Sequence, residues 1–262
     1  MLKNIKSTYF SKLILSFINE KQKLLLIKYN KSIQKAININ LTNYKLISGK
    51  YIEYESNGKI KEYYLYSDNL AYEGEYSNGK RNGKGKEYNW NGKLMFDGEY
   101  KNGKRNGKGK EYNSYNGNLM FEGEYVNGLK NGKGKGFNSY NGDLIFEGEY
   151  LNGQKNGKGK EYSFNGILMF EGTFLNGKRN GKGKEYKCSN GELMFEGEYL
   201  NGERNGKGKE YGFYGILMFE GEYQNGMKNG KGKEYNMFNG ELIFEGDYIN
   251  GIRNNQIHYL DI

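Results

Sequence analysis

The chain of 262 residues carries 41 glycines and no proline, together with 26 tyrosines and 14 phenylalanines, a dense aromatic set that collagen and disordered tracts lack. Its net charge of +9 is unevenly placed: residues 1–70 hold 12 Lys+Arg against 5 Asp+Glu, whereas residues 71–262 hold 28 against 26. The later part is nearly neutral, which argues against a phosphate-binding surface and makes nucleic acid an unexpected partner.

Residues 1–45 read as a helical segment. Tyr9, Leu13 and Phe17, with Phe10, Ile14 and Ile18 beside them, recur at helical spacing, and Lys12 and Ser16 fall on the other side. Leu24 to Ile27, and then Ile33, Ala36 and Ile37, extend the pattern into two further short helices, with Asn19 and Asn30 as breaks or caps. Lys3, Lys6, Lys12, Lys21 and Lys23 are candidate contacts to an anionic phospholipid surface into which the Tyr9/Leu13/Phe17 stripe would insert. The structural alternative is a helical cap over the first strand of the array that begins near residue 46. No apolar run approaches the ~18 residues that span a bilayer, and residues 13–18 are too short a stretch to predict a signal peptide.

From residue 46 to residue 262 the chain is a repeat array. Phe96-Asp97-Gly98-Glu99-Tyr100 returns with its first aromatic at Tyr72, Phe121, Phe146, Phe170, Phe195, Phe219 and Phe244, a period of 24 or 25 residues. Aligning Asn57-Gly58-Lys59-Ile60 with Asn82-Gly83-Lys84-Gly85 adds a degenerate first copy at 46–70. Seven regular copies occupy 71–243 and a truncated last one 244–262. In all seven regular copies a second aromatic stands 16 residues after the first, as Tyr112 after Phe96, so the extra residue of the longer period belongs to the connection between copies. This predicts a rigid hairpin with slack in the joint, because one residue added inside a paired strand flips its faces whereas a turn absorbs it.

Phe96, Gly98 and Tyr100 alternate with Asp97 and Glu99, and Asn-Gly pairs such as Asn102-Gly103, Asn106-Gly107 and Asn116-Gly117 are expected to reverse the chain. Each copy is therefore read as one β-hairpin. Asp97 and Glu99 are expected on a solvent face near Lys108 and Lys110 of the second strand, as mutual ion partners. Strand-interior glycines such as Gly98 and Gly109 predict a large aromatic lying across the vacancy. In the Gly109 column the end copies carry Ile60 and Ile257 instead, which are expected to cap the array.

The recurring Phe-Glu-Gly-Glu-Tyr, with Asn-Gly and then Asn-Gly-Lys-Gly after it, resembles the MORN repeat (membrane occupation and recognition nexus), over about 200 residues. The second-strand aromatic stands five residues after the glycine, Gly107 to Tyr112, where the usual pattern has four, as in the variant MORN form. That departure leaves two routes for Tyr112, directly onto the aromatic side or through a β-bulge. The resemblance implies a mainly β fold, an elongated single-layer antiparallel sheet of stacked β-hairpin repeats (a MORN-like solenoid), on the order of 80 Å long at about 4.8 Å per strand. With the short α-helical N-terminal cap, this is the expected fold. The family is used in scaffolds and homodimers, and in contacts with phospholipid membranes. Residues 1–45 also resemble an F-box, the adaptor module of ubiquitin ligases, although the Leu-Pro pair common near its start is missing.

Catalysis has little material. His258 is the only histidine and Cys188 the only cysteine, so neither a Ser-His-Asp arrangement nor a multi-histidine metal site is expected. Gly-Lys-Gly recurs as strand without the Gly-x-x-x-x-Gly-Lys-Ser/Thr of a phosphate loop, and no cofactor is expected. A single cysteine also rules out a disulfide framework and favours a reducing compartment, hence a cytoplasmic and, with lipid contact, membrane-peripheral protein. The expected function is a non-enzymatic scaffold for a protein partner or a second copy, with Tyr100, Tyr125, Tyr150, Tyr199 and Trp90 as candidate partner contacts. Peripheral binding to anionic phospholipid and an F-box-like adaptor, with the repeats holding substrate, are the two rival expectations.

Overall fold

The computed structural model describes residues 50–55, 59–64 and 67–254. The helical segment and F-box-like pattern at 1–45, with Lys3, Lys6, Lys12, Lys21 and Lys23, lie outside the described residues, as does Ile257. The described residues build antiparallel strands as stacked hairpins, as the repeat pattern predicts. They divide into two compact units between Gly103 and Lys104. The first contains β1 (Lys50–Tyr54), β2 (Lys59–Tyr64), β3 (Leu70–Ser77), β4 (Lys80–Tyr88) and β5 (Leu94–Lys101), each paired with the next. The second runs in the same consecutive order from β6 (Lys104–Tyr112) to β18 (Ile252–Arg253). Each unit is an open single-layer sheet whose core is one of its own faces.

The turns result from their residues. Asn127-Gly128 and Asn201-Gly202 hold positive φ at both positions, 52° and 92° in the first and 53° and 99° in the second. That is the type I′ conformation, which matches the twist of paired strands and which Asn-Gly adopts at low cost. Each turn is also tied to the preceding copy: the Gly202 amide donates to the Arg179 carbonyl at 2.8 Å and the Asn201 amide to the Asn180 side chain at 3.3 Å. The connections between hairpins hold the slack, spanning 163–167 or 212–216 in shorter copies and 138–143 or 187–192 in longer ones, while the flanking strands keep their lengths.

Two expectations are corrected. The middle Asn-Gly pair does not reverse the chain; Asn205-Gly206 lies inside a second strand, at a bulge between Gly197 and Tyr199 of its neighbour, where Gly206 takes φ 90°. A side chain at Gly206 would also strike the Glu198 carboxylate, which accepts the Lys207 amide exposed by the bulge. The first hairpin also departs from the alignment. β1 pairs with β2 with Tyr54 opposite Ile60, and the Glu55 amide donates to the Lys59 carbonyl, whereas the alignment with later copies would set residue 49 opposite Ile60. Ile60 itself is buried opposite Gly74.

Candidate interaction surface

The aromatic face is built in columns. Phe170, Phe195 and Phe219 are fully buried, each lying across the two facing glycines of its own hairpin, as Phe195 does over Gly197 and Gly208. A methyl group at Gly208 would come within 2.4 Å of the Phe195 ring, which explains the strand-interior glycines. The next column, Tyr150, Phe174, Tyr199, Tyr223 and Tyr248, packs edge-on against the ring of its own copy and the ring of the copy before, with centroids 5.1–5.6 Å apart, and Tyr125 packs in the same way against Phe121 of its own copy. Edge-to-face pairs of this kind add about 0.5–1.5 kcal/mol each beyond the area they bury.

Over these rings runs a ladder of charges. Arg179, Arg204 and Lys228 lie above Phe170, Phe195 and Phe219 with 4.1–4.2 Å between cation and ring centre. Arg179 and Arg204 each sit between carboxylates of their own and the preceding copy, and Lys228 reaches Glu210 of the preceding copy at 3.1 Å. Arg179 reaches Glu185 at 3.1 Å and Glu161 at 2.9 Å, and Arg204 reaches Glu210 at 2.8 Å and Glu185 at 2.6 Å. Arg81 does the same in the first unit, with Glu62 at 3.0 Å and Glu87 at 2.6 Å. Burial pushes the Glu161 carboxyl up, but hydrogen bonds and charge from Lys155 and Arg179 outweigh it and hold it below the usual carboxylate range. Burial and the neighbouring Glu234 carboxylate push the Tyr248 hydroxyl up to about 12.

The opposite face is more open. There Lys184 meets Glu196 at 3.6 Å and Lys209 meets Glu220 at 3.5 Å, so these ion pairs link successive hairpins instead of closing one, and second acids such as Glu198 and Glu222 cap the bulge. The second-strand tyrosines belong to this face: Tyr186 donates to Glu171 and Tyr211 to Glu196, each at 2.6 Å, so the hydroxyl does not reach the aromatic side. The register irregularity beside them falls opposite Met194 and Met218, leaving the tyrosine facing the acids.

Candidate contacts separate into two groups. Tyr100, Tyr125 and Tyr199 are buried and Tyr150 is half-buried, so these rings are packed instead of displayed. Trp90, by contrast, is 66% exposed in its connection. It has counterparts that residue-by-residue reading passed over: Tyr115, Tyr140, Phe164, Phe213 and Phe238 sit in the connections of the second unit and are 61–87% exposed. Consecutive antiparallel pairing carries all connections of a unit to one end of its strands, so these rings form a row. The opposite end, at the turns, carries exposed aliphatics such as Leu151, Leu175, Leu200 and Met227. The signal was present, an aromatic two residues before the connection glycine in most copies, as in Tyr140-Asn141-Gly142 and Phe213-Tyr214-Gly215. Among the described residues no cluster of His, Cys, Asp and Glu suits a metal ion, and no helix is long and apolar enough to cross a membrane.

The model of one protein family, the MORN repeat, matches residues 72–92, 96–116, 121–135, 146–167, 170–192, 195–212 and 219–236, just over half the chain. No curated protein matches the chain.

Proposed function

Since this chain belongs to the MORN-repeat family, we propose that it is a non-catalytic, cytoplasmic protein-interaction scaffold whose partner seats on the row of connection aromatics. At the coarser level, MORN repeats in a hairpin sheet make it a repeat protein that works by association, with protein or with membrane. The observation that carries the finer reading is the exposure of Tyr115, Tyr140, Phe164, Phe213 and Phe238 along one end of the strands. Scattered exposed aromatics need no explanation, but a repeated row rimmed by Asn and Gly is the composition of a contact surface, in which rigid rings supply area at small entropic cost. The partner is a protein or a second copy of the chain.

The test replaces Tyr140, Phe164, Phe213 and Phe238 together by serine in the full chain. Sedimentation equilibrium and affinity capture are expected to lose self-association or a captured protein, with an unchanged unfolding temperature, since none of the four rings is in the core. Retention of the same associations overturns the reading. The membrane alternative has its own support in the exposed aliphatics at the turns, Leu151, Leu175, Leu200 and Met227. Co-sedimentation with phosphatidylserine vesicles, lost when these four are changed to serine, is its requirement.

A further inference from the structure

The charge ladder on the aromatic face has one break. Glu62, Glu87, Glu111, Glu161, Glu185, Glu210 and Glu234 occupy one column, and at the corresponding place in the copy that begins at Phe121 stands Gly136. Everything that holds a glutamate elsewhere remains around it. Gly136 pairs with Phe121 on one side and with Phe146 on the other. Lys130 lies over the Phe121 ring at 4.4 Å and Lys155 over the Phe146 ring at 4.6 Å. The Tyr150 hydroxyl stands above Gly136, 3.2 Å from where a Cβ would be. In the intact copies these three places belong to the partners of the glutamate: Glu111 has Arg105 at 3.7 Å, Lys130 at 3.0 Å and the Tyr125 hydroxyl at 3.4 Å.

Without the carboxylate, alternation fails and two cations stand in succession; among the described residues Lys130 keeps the Glu111 carboxylate alone and Lys155 that of Glu161. Both lysines are more open than the cations of intact copies. Their side chains are 31% exposed, against 18–24% for Arg81, Arg105, Arg179, Arg204 and Lys228. Two ammonium groups and a phenol over a backbone with no side chain of its own make a half-occupied ion-pair site, and the missing piece has the shape and charge of a glutamate side chain.

We propose that the break at Gly136 is a carboxylate-binding site, in which Lys130, Lys155 and the Tyr150 hydroxyl receive a carboxylate from outside the chain. The carrier is a small free acid or an acidic side chain of a protein. The inference does not depend on the aromatic row as a partner surface, since the two lie on different parts of the sheet.

Propionate, the side chain of glutamate with a hydrogen in place of Cα, is the probe. The unfolding temperature of the full chain is tracked against sodium propionate and against sodium chloride at equal ionic strength. The expected result is a saturable rise with propionate beyond that with chloride, lost in Gly136→Glu, which supplies the carboxylate internally and is itself raised in chloride alone. Lys130→Met and Tyr150→Phe, tested separately, are expected to weaken the propionate effect severalfold, so the proposal stays testable if Gly136→Glu fails to fold. An equal response of wild type and variants, or no difference between propionate and chloride, overturns it. A blocked Gly-Glu-Gly peptide that reproduces the rise where Gly-Gln-Gly does not assigns the site to a protein side chain; propionate acting without the peptide assigns it to a small acid.

Discussion

On the aromatic face Arg179 lies over Phe170 and reaches Glu161 and Glu185 at 2.9 and 3.1 Å; on the other face of the same sheet Lys184 reaches Glu196 at 3.6 Å. The residue types are alike but the surroundings are not, since Glu185 is 14% exposed and Glu196 35%. Water screens the outer pairs, which contribute little, whereas the inner pairs work in a poorer dielectric where attraction is stronger and an unpaired charge is costly. The single layer can therefore have a core without a second layer to cover it. Rings fill the glycine vacancies, cations roof the rings, and carboxylates hold the cations in line.

Phe195→Ala should break this contrast most. It removes the ring that fills the Gly197 and Gly208 vacancies, supports Tyr199 and Tyr223, and seats Arg204, so a loss of about 3–5 kcal/mol in urea-unfolding stability is expected. Glu185→Gln comes next, at about 2 kcal/mol, because Arg179 and Arg204 both lose a charged acceptor in a half-buried position. A smaller effect separates the faces by pH. The Glu161 carboxyl is held below its unfolded value, so its contribution is present above that unfolded value, about pH 4.3, and is lost as pH falls through the folded one. Urea midpoints measured from pH 7 to pH 3 should thus fall less steeply for Glu161→Gln than for the wild-type chain; parallel curves would contradict the ladder. The smallest change is expected for Glu196→Gln, about 0.5 kcal/mol, and a cost equal to that of Glu185→Gln would erase the distinction between the faces.

Much of the fold was legible in the chain. The 16-residue aromatic spacing and the Asn-Gly turns identify the hairpin, and they placed the variable residue in the connection where the structure has it. The site was less legible. Arg179 and Glu185 were hidden because a charged residue in an alternating strand is first assigned to solvent, and only the ring beneath Arg179 shows why a cation can lie inside. Tyr199 was conspicuous as an aromatic and proved to be packed, whereas Tyr140 and Phe238, in connections that look like spacers, are the rings on display. Both errors come from reading a residue's type without its neighbours in the adjacent copy.

The sequence by itself determined the repeat, its period, the alternation that makes strands and the positions where the chain reverses, because these depend on the conformational preferences of consecutive residues. It did not determine that Asn205-Gly206 bulges while Asn201-Gly202 turns, nor that Glu185 bonds Arg204 and leaves Lys184 to Glu196. Those outcomes belong to the tertiary structure. The ion pairs are set by partners 12 and 19 positions away, brought together only when one hairpin has stacked on the next and the sheet has decided which face each charge shares with a ring.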